Sequence, residues 1–242
     1  KINIKGKKMT RFIIPSLLFL VISCSSDKVL LPEEVSPDVY KVLLDNEDVK
    51  VLEVTFEPGQ SDNMHDHYPV TFYLLQGGKA QVTMPDGTVN EREIPSGFTG
   101  HQLEKVRHQV KNIGDSTIKL ILVERKREQS TNYSEEKLIL PEEVSPDRYE
   151  VLLENEDVKA VMVTFPPGQG DNMHEHGVTT YYAVKGGKMQ NILADGTVNE
   201  MDITDGFVGL GKKLVKHQMM NVGNDTVKVL LIEHKKLELV KD

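Results

Sequence analysis

The segment LPEEVSPDVYKVLLDNEDVK beginning at Leu31 returns as LPEEVSPDRYEVLLENEDVK beginning at Leu140, 109 positions later. The correspondence runs without a gap to residues 127 and 236, with roughly half of the paired residues identical. A repeat unit of this length is a whole domain, because solenoid units are only about 20–50 residues long. The 242-residue chain is therefore expected to hold two copies of one domain, 30–127 and 140–236, joined by a polar linker, 128–139.

Each copy reads as β structure. Val39 to Leu44 and Val49 to Phe56 are apolar, β-branched runs separated by Asp45-Asn46-Glu47-Asp48, a hairpin signal. Pro58-Gly59, Gly77-Gly78, Asp86-Gly87 and Ile113-Gly114 punctuate the rest, and the second copy repeats them at Pro167-Gly168, Gly186-Gly187, Asp195-Gly196 and Val222-Gly223. Short strands between such turns belong to a sandwich or barrel, and no long segment keeps helical periodicity.

Charge and composition remove several functions. Twenty-nine Lys and Arg against 37 Asp and Glu give a net charge of -8, which disfavours nucleic acid and supplies no basic face for anionic lipid. The absence of Trp argues against a large carbohydrate-stacking platform. At the N-terminus, Lys7, Lys8 and Arg11 precede the apolar run Phe12 to Ile22, which is too short to span a bilayer and fits the core of a secretory signal starting at Met9. The run closes with Val21-Ile22-Ser23-Cys24, which resembles the lipobox of bacterial lipoproteins. Residues 1–24 are thus expected to be a signal peptide ending at Cys24, the residue that would be lipidated. The protein would be anchored to a membrane of the bacterial envelope, facing the periplasm or the cell surface, and would touch the membrane only through that lipid. Cys24 is the only cysteine, so no intramolecular disulfide can form and no other thiol is available as nucleophile or ligand.

Six of the eight histidines form two triplets related by the repeat: His65, His67, His108 and His174, His176, His217. Two histidines separated by one strand residue point to the same face, and a third from a later strand can close a metal site. His101 and His234 stand outside the pattern, their counterparts being Leu210 and Arg125.

Gly59-x5-His65-x-His67 followed by Tyr73-Leu74-Leu75-Gln76-Gly77, then Pro95-x-Gly97 and His108-x3-Asn112, resembles the two motifs of the cupin superfamily. Gly168-x5-His174-x-His176 and His217-x3-Asn221 repeat the pattern. The resemblance covers nearly all of residues 35–126 and 144–235 and implies a bicupin: all-β, two tandem double-stranded β-helix barrels of jelly-roll type, each with its metal inside. In two respects the chain departs from the family. The glutamate that often follows the second histidine is missing in both copies, where Tyr68 to Phe72 and Gly177 to Tyr181 stand. The interval Phe98 to Arg107 is also long, which suggests an extra loop at the barrel mouth carrying His101, Gln102, Glu104 and Lys105 in one copy and Leu210, Gly211, Lys213 and Leu214 in the other.

Three neutral imidazoles favour Fe, Zn, Ni, Cu or Co as a divalent ion, one per domain, with Mn less well suited. Tyr73 and Tyr182 are the candidate proton donors, if strand parity with the histidine pair is kept. Thr71 and Thr180, near the missing glutamate, could orient a metal-bound water; Gln81 and Gln190 are candidate amides around the ligands, and Asn63 and Asn172 serve either there or in the preceding turn. The resemblance suggests a metal-dependent enzyme, of dioxygenase or isomerase type, acting on a small oxygen-rich molecule. The alternative is a non-catalytic module that binds or senses a small ligand in the envelope. A monomer or weak oligomer is expected.

Overall fold

The computed structural model describes residues 29–130 and 137–240. Cys24 and the signal segment lie outside the described residues, as does the middle of the expected linker. Among the described residues no helix is long and apolar enough to cross a membrane.

The first copy opens with a helical turn, α1 (Pro32–Val35), and continues through β1 (Tyr40–Asp45), β2 (Val49–Phe56), β3 (His65–Asp66), β4 (Val70–Gln76), β5 (Gly78–Thr83), β6 (Val89–Ile94), β7 (Thr99–Gln102), β8 (Arg107–Asn112) and β9 (Ile118–Arg125). The second repeats it with α2 (Pro141–Val144), β10 (Tyr149–Glu154), β11 (Val158–Phe165), β12 (Thr179–Lys185), β13 (Gly187–Leu193), β14 (Val198–Ile203), β15 (Val208–Gly211), β16 (His217–Asn221) and β17 (Val227–His234). The hairpin expected between β1 and β2 forms, with Asn46 Oδ1 accepting from the backbone N–H groups of Asp48 and Val49.

Each copy is a jelly roll of two antiparallel sheets. In the first, the five-stranded sheet β1-β2-β9-β4-β7 faces the four-stranded sheet β3-β8-β5-β6; in the second, β10-β11-β17-β12-β15 faces β14-β13-β16. Glycine at φ +80° (Gly59) and +70° (Gly168) makes the turn that leads each chain from one sheet toward the histidine pair.

Alternation along β2 and β9 separates two cores. Leu52, Val54, Phe56 and Leu122 point into the first barrel, where they meet Tyr40, Val70 and Ile118. Their neighbours Val51, Ile121 and Val123 point outward and meet Ala160, Met162, Tyr182, Leu230 and Ile232 of the second copy. The two five-stranded sheets therefore share a third core between the barrels. Strands buried on both faces need apolar residues at successive positions, which is why β9 reads Ile-Lys-Leu-Ile-Leu-Val and β17 Val-Lys-Val-Leu-Leu-Ile. Each fully buried aliphatic side chain contributes about 1.5–3 kcal/mol, so this seam is a major part of the stability.

A three-histidine cluster in each barrel

The histidine pairs sit where the chain crosses from the turn at Gly59 or Gly168 to the smaller sheet. His65 pairs directly with His108 across β3 and β8, and His174 bridges His217 in the same way. Within each triplet one nitrogen per residue lies within 4.8 Å of the others. His65 Nε2 is 2.9 Å from His67 Nε2, while His174 Nε2 is 3.0 Å from both His176 Nε2 and His217 Nε2.

The opposite ring nitrogens explain why these Nε2 atoms converge. His65 Nδ1 donates to the backbone carbonyl of Asn63 and His174 Nδ1 to that of Asn172, each at 2.8 Å. His67 Nδ1 lies 2.6 Å from Glu124 Oε1, and His176 Nδ1 lies 3.2 Å from Glu233 Oε1. A ring whose Nδ1 bears the proton presents only a lone pair at Nε2. Lone pairs about 3 Å apart repel one another unless a cation lies between them. Their spacing is that of nitrogens each about 2.1 Å from one ion, so the donor set fits a divalent transition metal. Burial, reinforced by the neighbouring rings, holds His67 and His108 down to about 3, and His217 likewise to about 3, which keeps these imidazoles neutral and ready to ligate.

A tyrosine completes each cluster. Tyr40 donates to Asp62 Oδ2 at 2.7 Å with its Oη 3.2 Å from His65 Nε2; Tyr149 donates to Asp171 at 2.5 Å with its Oη 3.4 Å from His174 Nε2. Burial, followed by the charge of the aspartate, raises both phenols well above their ordinary value, so the hydroxyls keep their protons. The aspartates are fixed in turn by the backbone N–H groups of Val110 and Met219, each donating at 2.6 Å.

The two clusters differ in charge. Burial pushes Glu124 up to about 7, although Lys50 opposes it. Burial would raise Glu233 too, but His176 and Lys159 outweigh it and hold the carboxyl below its ordinary value; Lys159 Nζ is 2.8 Å from Glu233 Oε2. Lys159 also bonds Glu142 at 2.5 Å, whereas Lys50 bonds Glu33.

In the second barrel the cluster opens into a cavity of about 590 Å³. Its wall is mostly apolar, with Phe165, Tyr181, Met189, Met201, Phe207 and Met219, while Tyr149, Asn191 and Lys213 supply polar atoms. In the first barrel Leu74 and Ala80 stand where Ala183 and Met189 stand in the second.

Several residues expected beside the metal lie elsewhere. Residues 68–69 and 177–178 bend the chain between the histidine pair and the next strand, so parity flips there. Val70, Phe72, Thr179 and Tyr181 turn inward, whereas Tyr73 and Tyr182 turn out into the core between the barrels and are not positioned as proton donors. Thr71 and Thr180 turn out as well: Thr71 Oγ1 is 3.0 Å from His101 Nδ1, and Thr180 Oγ1 is 2.8 Å from His234 Nε2. Gln81 and Gln190 face solvent and reach toward Glu91 and Glu200 instead of the ligands. Asn63 and Asn172 serve the turn, bonding Val35 O and Val144 O through their side chains and the imidazoles through their carbonyls. Of the segment expected as an extra mouth loop, residues 99–102 are the strand β7, and His101 faces the second barrel; Lys213 of the second copy does reach the cavity.

Tyr40, Asp62 and Glu124, with their partners Tyr149, Asp171 and Glu233, were not singled out from sequence. A signal existed for two of these pairs: the tyrosine lies within the longest near-identical stretch of the repeat, and the glutamate is an acidic residue at an inward position directly after an apolar run of its strand.

No protein-family model matches the chain, and no curated protein matches it. Solved structures do match its fold. Oxalate decarboxylase from Bacillus subtilis aligns over 78% of this chain and 69% of its own, with TM-score 0.55 and 15% identity. AerE from Microcystis aeruginosa aligns over 81% and 97%, with TM-score 0.56 and 14% identity. A further oxalate decarboxylase structure, described for its Mn(II) centres, aligns over 79% and 70% with TM-score 0.54 and 14% identity. Two jelly rolls in one chain, each with three convergent imidazoles, share the two-barrel fold of these structures and present a candidate metal centre in each barrel.

Proposed function

We propose that the protein is a metal-dependent bicupin whose second barrel acts on a small molecule with an oxygen-rich, chelating end and an apolar body. The cavity at His174, His176 and His217 carries this reading, because its wall of methionine, phenylalanine and aliphatic side chains suits an apolar ligand. A divalent ion held by the three histidines would supply Lewis acidity toward an enolate or carboxylate. Oxalate, the compound in the names of two structural neighbours, has no apolar part to occupy this wall.

The chain's own groups supply the rest. Glu233 holds His176 in the tautomer that turns its Nε2 lone pair inward, and Asn172 does the same for His174. Tyr149 keeps a proton at Oη beside the ligand nitrogens, positioned to donate a hydrogen bond to an anionic substrate oxygen once it turns from Asp171. Phe207, stacked on Tyr181, screens one side of the cavity from water. The first barrel has the same polar set, with a protonatable Glu124 and smaller Ala80 in place of Met189. The metals suited to imidazole are iron, zinc, nickel, copper and cobalt; manganese belongs in the same screen because a structural neighbour is described with Mn(II) centres. The lipobox at Cys24 supports attachment to the bacterial envelope.

Elemental analysis of the full chain tests the metal reading, beside variants with His65→Ala and His67→Ala together, or His174→Ala and His176→Ala together. About two equivalents of one transition metal, falling to about one in each variant, are expected. Metal far below stoichiometry after reconstitution would remove it. With metal in place, turnover of amphiphilic carboxylates or diketones that is lost in Tyr149→Phe supports an enzyme; saturable binding without turnover leaves a ligand-binding module.

A further inference from the structure

The seam between the barrels is apolar at its centre but polar at one end, where Thr71, His101, Arg125, Thr180 and His234 are buried together. Arg125 follows Glu124 on β9, so the glutamate faces the first histidine cluster and the guanidinium faces the second barrel. His234 holds the equivalent place on β17 after Glu233. Arg125 is only 7% exposed and His234 4%.

Several buried donors here have no hydrogen-bond acceptor among the described residues, and Asp48 Oδ1, within electrostatic range of His234, likewise has no hydrogen-bond partner. Among the described residues, Arg125 Nε and Nη1, His101 Nε2 and His234 Nδ1 are buried and have no hydrogen-bond partner. Thr71 meets His101 at Nδ1 and Thr180 meets His234 at Nε2, so hydroxyls donating to those nitrogens leave the protons on the unpartnered ones. The nearest carboxylate to His101 Nε2 is Asp157, at 3.9 Å, beyond hydrogen-bond reach. His234 lies within electrostatic range of Arg125, His101, Asp48 and Arg127, and Arg125 within range of Asp157.

Asp48 offers little to Arg125, being held by Lys212 at 2.7 Å and Arg127 at 3.1 Å. With both imidazoles neutral, Arg125 is the buried cation of this group, whereas Arg127 and Lys212 are partly exposed and pair with Asp48, Lys212 also with Glu47 at 3.5 Å. Arg125 is thus a buried charge with no carboxylate in ion-pair reach among the described residues, at a place where an unpaired charge is costly to keep from water. We propose that a monovalent inorganic anion of the halide class binds between the barrels, held by Arg125 Nε and Nη1 and by the ring N–H groups of His101 and His234. This anion would join β7 and β9 of one copy to β17 of the other, and it is independent of the metal centres.

The test uses the metal-loaded full chain. Thermal midpoints are measured at fixed ionic strength while chloride or bromide replaces gluconate, and crystals grown in bromide are measured at the bromine edge. A saturable rise in midpoint of a few degrees, with one bromide site between Arg125 and His234, is expected. In Arg125→Gln both should vanish while metal content is unchanged. Midpoints indifferent to the halide, a water at that position, or bromide confined to surface lysines would overturn the proposal. Should Arg125→Gln fail to fold, the bromide site and the halide titration of the unaltered chain still decide.

Discussion

His67 Nδ1 lies 2.6 Å from Glu124 Oε1, a contact that spans 57 residues of sequence and ties the second histidine of the pair to the last strand of its barrel. The contact fixes both the tautomer and the tilt of the imidazole. Glu124→Gln is expected to weaken metal binding in the first barrel by about 10–100-fold and to leave the second unchanged. Chelator competition reads this directly, and an unaltered first-site affinity would sink the assigned role of Glu124.

Tyr149 is the hydroxyl nearest the second cluster that can hold a proton toward a ligand. Tyr149→Phe should keep about one metal equivalent in that barrel while turnover falls. Stability should fall by about 1–3 kcal/mol, because Asp171 Oδ2 loses its donor in a buried site. Full activity in Tyr149→Phe, with metal retained, would exclude the hydroxyl from the chemistry.

Tyr182 offers the contrast. It is 5% exposed in the core between the barrels, and burial pushes its phenol up to about 12. Tyr182→Ala should cost about 3–5 kcal/mol with metal stoichiometry preserved. A change in metal content without a change in denaturation midpoint would place this tyrosine at the metal instead of in the seam.

Acid should unfold the metal-free chain early. His67, His108 and His217 are held to about 3 and His234 to about 4 by burial, against about 6.5 when unfolded. Between those values the unfolded chain binds more protons, so stability rises with pH; it is complete above about 6.5 and is lost as pH falls toward 3. His234 alone accounts for about 3 kcal/mol of that loss. Glu124, raised to about 7, works in the opposite sense between about 4.5 and 7 but is outnumbered. Denaturant midpoints of the metal-free chain at pH 7.5, 5.5 and 4 should therefore decrease in that order. A flat series would contradict the burial of these rings.

The fold was legible because its signals are local and repeated. The apolar runs of β2 and β9, the turn glycines and the two histidine triplets each declare themselves within a few residues. The histidine at position 108 could be joined to the pair at 65 and 67 because the repeat carries all three together. The surroundings of the cluster were less accessible. Strand alternation extrapolated from His67 to Thr71 and Tyr73 fails at the bend of residues 68–69, where the chain leaves extended geometry and resumes it with the opposite parity, so every later side chain lies on the other face. Tyr40 and Glu124 reach the site from β1 and β9, a closeness created by the barrel and invisible in any short window of sequence.

The seam between the sheets has an evolutionary meaning. Two identical barrels packed about a two-fold axis must carry every substitution twice, so an arginine in the seam would always come with a second arginine. Joined in one chain, the halves are free to diverge singly, and here Arg125 in one copy answers His234 in the other, while His101 answers Leu210. The fusion thus makes possible a single buried arginine at one end of the seam between two nearly identical barrels, which a symmetric dimer of identical barrels could not encode.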